Sequence, residues 1–328
     1  MKLLLVLSLL VAALFFASLL IGPAALGAGE SLAALLGGGA PGEAVTLVMR
    51  EVRLPRALLG LMVGAALGLT GAAMQGFLRN PLAEPGLIGT SASAALGAVI
   101  ALQTGIAAAF TLALPAMALL GAFLSVALIL ALAGPRGGAL VLILAGIAVS
   151  AMAGALTALV LNLSPNPFAA AEIIFWLMGS LTDRSMLHVG IAAPFILLGA
   201  AALLTQGRGL DTLTLGEDAA ASLGVNLTRL RLTIVAGAAA AVGGATAVAG
   251  AIGFVGLVVP HLLRPLVGAR PSRLLPASAL GGAAMLLAAD IAVRLIAPER
   301  DLKLGVLTAL IGAPFFLHLI WRMRRRLA

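Results

Sequence analysis

The chain has 328 residues, 62% of them hydrophobic and only 10% charged, with a mean hydropathy of +1.18. A soluble domain carries about a quarter charged residues, so a water-soluble fold is excluded and an all-α polytopic membrane protein is expected. Cysteine is absent, which excludes disulfides and thiolate chemistry, and the net charge of +8 reads as topological bias toward the cytoplasm, with no nucleic-acid partner expected.

Lys2 followed by the apolar run 3–26 has the start of a signal peptide, but the run is longer than the usual apolar core and many more follow. It reads as an uncleaved first span. Further candidate spans fall at 57–78, 87–104, 107–133, 139–161, 189–206, 232–250, 252–268, 274–296 and 304–321, making about ten transmembrane helices in one domain, 1–328. The span at 252–268 is interrupted by Pro260 and Pro265.

In the second span Gly60, Gly64 and Gly68 recur every four residues and form one small-residue face, suited to close helix packing. Asn80-Pro81 and Glu84-Pro85-Gly86 then break the helix. Non-helical backbone at membrane depth is tolerated only inside protein or along a wet cavity, so this segment is a tight inner turn or part of a pathway mouth. Gly250, Gly253, Gly256 and Pro260 mark a second irregular passage. His188, His261 and His318 have no second ligand at metal-binding spacing, and neither a metal site nor a cofactor is expected. Asp290 is the only acid well inside a candidate span, and its expected partner is an interhelical donor or Arg294, one turn on. The stretch 205–232 is the longest charged interval between apolar runs.

With the N-terminus inside and ten spans, thirteen of the twenty basic residues fall on the inner side, together with 205–232 and the Arg-rich tail. Seven remain outside: Arg50, Arg53, Arg56, Arg184, Arg294, Arg300 and Lys303. Of these, Arg53, Arg56 and Arg294 flank span ends, where they serve either as snorkelling cations or as a docking rim for an acidic partner. No phosphate-binding GxxxxGK[ST] loop and no HExxH or GxSxG motif occurs, so no catalytic residue is assigned. Elimination leaves a pore that is passive or powered by another chain; a secondary transporter or channel independent of an ATPase is the alternative.

Three stretches, RLPRALLGLMVGAALGLTGAAMQGFLRNPLAEPGLIG (53–89), LGEDAAASLGVN (215–226) and GAIGFVGLVVPHLLRPLVG (250–268), together resemble the permeases of type II ABC importers for ferric siderophores, haem and cobalamin, the FecCD or BtuC-like family. ADIAVRLIAPERDLKLGVLTALIGAPFF (289–316) fits as well, so the resemblance runs nearly end to end. It implies a BtuC-like bundle in the bacterial inner membrane with both termini cytoplasmic. The partners it implies are a second copy in a homodimer, two ABC ATPase subunits, a periplasmic substrate-binding protein and membrane lipid. It also implies that Leu215, Gly216, Glu217, Asp218, Ala221, Leu223 and Gly224 couple to the ATPase, that Arg53, Arg56 and Arg294 meet the binding protein, and that Asn80, Pro81 and Leu82 lie at the inner mouth of the pathway. Residues 172–181 become a short outer helix and re-entry beside that pathway.

Overall fold

A computed structural model describes residues 2–24, 26–37, 42–110, 112–134, 138–164, 167–297 and 302–327. Of the residues used in the charge count, Arg136, Glu299, Arg300 and Asp301 lie outside these ranges, as do the side chains of Arg322, Arg324, Arg325 and Arg326. Among the described residues seven helices are long and apolar enough to cross a bilayer: α1 (Lys2–Leu20), the continuous Glu43–Phe77 segment, α7 (Ala113–Ala133), α8 (Ala139–Asn162), α10 (Met186–Thr205), α13 (Leu227–Ala249) and α15 (Pro271–Ile296). Three shorter apolar helices complete the set: α5 (Thr90–Gln103), α14 (Val255–Leu263, continued as a 3-10 turn) and α16 (Leu304–Leu327). The expected order of spans is met, but the spans are not uniform. With 14 residues, α5 is about 21 Å long, short of the roughly 30 Å hydrocarbon core. The expected span 107–133 also divides, into a single turn α6 (Ile106–Ala109) and α7, with extended backbone at Phe110 between them.

The Glu43–Phe77 segment comprises α3 (Glu43–Leu47), a π-helical turn Val48–Arg53 and α4 (Leu54–Phe77). Its predecessor α2 (Ala28–Leu36) packs beside it at the same end. The α4 and α13 helices are buried along most of their length, and α15 packs most extensively on α4. That contact depends on the small-residue face. A Cβ added at Gly68 would lie 2.1 Å from the Ser278 carbonyl oxygen, and one at Gly64 would lie 2.4 Å from that of Gly282. Backbones can therefore meet directly, as dispersion-driven packing in lipid favours. By contrast, α1, α7 and α10 turn leucines such as Leu9, Leu124 and Leu198 outward, where lipid would meet them.

The irregular backbone after α9 is satisfied by the ends of neighbouring helices. The short helix α9 (Pro167–Leu177) ends in a loop whose Ser180 N donates to Ala249 O (2.8 Å), and Gly305 N donates to Gly179 O (3.2 Å). The loop after α9 is thus bonded to the last residue of α13 and to the first turn of α16. Gly250, at φ +71°, has the Trp176 carbonyl oxygen 2.3 Å from where a Cβ would stand. No larger residue fits that conformation and that contact together.

Candidate coupling site and the two ends of the bundle

At one end, α10 and α13 are joined by α11 (Gly207–Leu213) and α12 (Glu217–Ser222). Leu210 and Leu213 are buried and root α11 in the bundle, while α12 buries only Ala220. The rest of α12 faces outward. Leu215 and Leu223 are 67% and 65% exposed, and Glu217, Asp218, Ala221 and Gly224 are exposed between them. Two exposed leucines thus stand beside two acids on a helix of six residues. The acids sit in the first turn, where the helix dipole favours them. Gly216 at φ +108° and Gly224 at φ +86° bound the helix in backbone that a side chain would strain.

Asp211 on α11 supplies a connection that the sequence reading did not identify. Its Oδ1 accepts from Ser272 N (2.8 Å) and its Oδ2 from Ser272 Oγ (2.6 Å), capping the N-terminus of α15. Next to it, Asn226 caps α13 by accepting from Arg229 N (2.9 Å), and Arg231 Nη2 donates to Gly134 O (3.2 Å) at the end of α7. Asp211 therefore fastens α11 to the start of α15, and Arg231 fastens α13 to the end of α7.

The segment after α4 folds as an Asx turn, in which Asn80 Oδ1 accepts from Leu82 N (2.9 Å). Asn80 is exposed, and Pro81 and Leu82 are half-buried. Two residues on, Glu84 Oε1 accepts from Phe254 N (2.8 Å), satisfying a donor at the α13–α14 break. Deeper still, Gln75 is 1% exposed; its Oε1 accepts from Arg264 Nη2 (2.6 Å), and its Nε2 donates to Leu257 O (3.3 Å). Glu84 and Gln75 thus tie α4 and its turn to α14. Glu84 was noted in the sequence only as part of a helix break.

Residues 9–322 match the model of the FecCD transport family. The chain belongs to that family. Similar proteins include the cobalamin import permease BtuC of Halobacterium salinarum, 40% identical over 85% of this chain and 74% of that one. The ferric enterobactin permease FepD of Escherichia coli is 40% identical over 94% and 91%. The iron dicitrate permease FecD of Escherichia coli is 41% identical over 84% and 86%. A solved structure of a metal-chelate type ABC transporter in an inward-facing conformation superposes with a TM-score of 0.86, at 34% identity, over 98% of this chain and 99% of that one.

At the opposite end of this FecCD-family chain the three arginines expected to form a docking rim point inward. Arg53 is 4% exposed, and its Nη1 donates to Leu19 O (3.0 Å) and Leu20 O (2.9 Å) while Nη2 donates to Ala24 O. It therefore caps the C-terminal end of α1, where unpaired carbonyls and the helix dipole both favour a cation. Arg294, 9% exposed, reaches the same turn through Ser18 O (2.8 Å), Ser18 Oγ (2.6 Å) and Ile21 O. Asp290, 1% exposed, joins them: it lies 2.8 Å from Arg294 Nη2 and 2.9 Å from Arg56 Nη2. The expected Asp290–Arg294 pair is present, with Arg56 as an additional partner. Of the three arginines only Arg56 keeps appreciable exposure, with 15% of its side chain open. Arg53 and Arg294 are occupied in holding α1, α4 and α15 together.

Proposed function

We propose that this chain is the permease subunit of an ABC importer that takes up an iron chelate, haem or cobalamin, driven by ATP hydrolysis in a separate subunit. Two copies would enclose the pathway, over two ATPase subunits. In this reading α11–α12 and both termini face the cytoplasm, and the opposite end receives a substrate-binding protein. The observation that carries it is α12: an exposed, acidic, leucine-bearing helix between two positive-φ glycines, rooted through Asp211 to α15. A surface built in this way accepts a push from a neighbouring chain and passes it to a transmembrane rod.

The residues then divide by role. Leu215, Leu223 and Ala221 supply apolar contact to the ATPase, Glu217 and Asp218 supply charge, and Gly216 and Gly224 set the angle. Asp211 is a positioning residue that converts movement of α11 into movement of α15. Asn80, Pro81 and Leu82 form the inner mouth, steadied by the Glu84 bond to Phe254. Docking of the binding protein falls first to Arg56, because Arg53 and Arg294 must release α1 before meeting an outside carboxylate. Rocking between outward- and inward-open states follows as rigid-body motion of the α4–α15 unit.

The test is uptake into liposomes containing the permease, with and without its ATPase. Chelate accumulation that requires ATP inside and the binding protein outside is expected. Accumulation without the ATPase, driven by an ion gradient, would replace this reading with a secondary transporter.

A further inference from the structure

The outer end has more cations than lipid contact requires, and nearly every one that the structure describes is engaged. Arg50 Nε donates to Ala34 O (3.0 Å) at the end of α2, Arg53 caps α1, Arg56 and Arg294 share Asp290, and Lys303 lies 5.3 Å from the Phe175 ring centre. Arg184 differs from all of these. Among the described residues it has no hydrogen bond and no ion pair, and its Nε is buried without an acceptor. Burial pulls its guanidinium below the usual arginine value, and the neighbouring charge of Asp183 only opposes that effect. An unfilled buried donor costs about 1–3 kcal/mol, more when charged, and such a group in a native chain calls for an explanation.

Arg184 lines a cavity of about 250 Å³ together with His188 and Glu172, with Leu114, Pro115 and Ala247 among its apolar walls. The cavity lies where the end of α5, the start of α7, α9, the start of α10 and the end of α13 converge. His188 Nδ1 is taken by Ser185, at 3.2 Å from its backbone N and 3.1 Å from its Oγ. That leaves Nε2 as its unengaged nitrogen. A second buried donor without an acceptor, Trp176 Nε1, belongs to a side chain packed in one cluster with Leu114 and Ala247. The unfilled Arg184 donor at this cavity calls for an acceptor oxygen, and a planar guanidinium fits a carboxylate best.

We infer that this pocket binds a carboxylate-bearing small molecule, with Arg184 receiving the carboxylate and His188 beside it. Glu172, exposed at the cavity, opposes the ligand's charge and moderates its affinity. The volume falls below the roughly 300–1,000 Å³ of most ligand sites. It admits a di- or tricarboxylate, or one carboxylate arm of a larger chelate, and excludes a whole macrocycle. Binding at this site does not require the transport reading, and it is measured without transport.

The experiment uses the full-length permease in detergent, carrying Trp321→Phe so that Trp176 is the only tryptophan left of the two. Tricarballylate is titrated while Trp176 fluorescence is followed, and labelled tricarballylate is measured in parallel by equilibrium dialysis. Saturable binding is expected, weakened roughly ten- to a hundredfold by Arg184→Gln and less by Arg184→Lys. Glu172→Gln, at an exposed position, should tighten binding by about two- to fivefold, which keeps the proposal testable if Arg184→Gln fails to fold. The neutral triamide of the same acid should not compete. Displacement by ferric citrate would place the carboxylate on the cargo, and displacement by free acids alone would place it on an independent ligand. The proposal is overturned if dialysis shows no saturable binding, if the triamide competes equally, or if Glu172→Gln leaves affinity unchanged.

Discussion

Replacing Asp211 by Ala tests whether movement of the exposed element reaches the membrane helices through this side chain. The substitution removes both acceptors from Ser272, whose N and Oγ lie 2.8 and 2.6 Å from the carboxylate. Loss of a helix cap costs about 0.5–2 kcal/mol, and hydrogen bonds to a charged group contribute about 1.5–3 kcal/mol. A weakening of α11–α15 attachment by about 1.5–3 kcal/mol is therefore expected. The surface of α12 is untouched, so association with the ATPase should stay as it is. If the whole loss appears as lost coupling, transport per ATP hydrolysed falls by at least about tenfold. The assay is simultaneous measurement of chelate uptake and phosphate release in proteoliposomes. Ser272→Ala alone should give a smaller defect, because the backbone N still donates to Asp211. The double variant should resemble Asp211→Ala, as expected of two residues in one interaction. Strictly additive defects, or a variant that loses the ATPase altogether, would refute the argument that Asp211 transmits movement and does not merely shape the docking surface.

Three further outcomes follow from the same geometry. Glu217→Lys with Asp218→Lys reverses the charge of α12 and, on the proposed coupling role, should weaken ATPase association, with salt titration of co-purification showing a change in salt dependence. Gly68→Ala sets a Cβ 2.1 Å from Ser278 O and must part α4 from α15; overpacking costs about 1–3 kcal/mol, visible as a lower thermal midpoint in detergent. Asp290→Asn leaves Arg56 and Arg294 facing each other without a counter-charge and should cost about 3–5 kcal/mol; adding Arg56→Gln should recover part of the loss in the same thermal assay.

The spans were legible because apolar runs report burial in lipid or protein directly, and Gly64 and Gly68 reported a close contact through their spacing. What hydropathy does not report is depth. The runs that became α5 and α14 have ordinary composition, yet α5 has only 14 residues, and α14 follows a non-helical start. The partners of the arginines were not legible for a different reason. Arg53 meets Leu19, 34 positions away, and Arg294 meets Ser18, 276 positions away. A pattern along the chain shows a cation at a span end but not the helix terminus folded against it. Asp211 and Glu84 were overlooked for the same reason, with partners 61 and 170 positions distant. Met186 offers a smaller lesson, since α10 begins there and not at 189, in a capping box between Ser185 and His188 that uses histidine where glutamate or glutamine is usual.

Because the chain contains no cysteine, a single engineered thiol reports one position without background. Ala221→Cys on the outward face of α12, combined with a short bifunctional cross-linker, examines the α11–α12 surface directly in membranes that also contain the cognate ATPase. A covalent permease–ATPase product is expected from Ala221→Cys, and none from Leu36→Cys at the opposite end, where Leu36 is 83% exposed. Cross-linking from Leu36→Cys and none from Ala221→Cys would contradict the assignment of α11–α12 as the entry point for the energy of ATP hydrolysis.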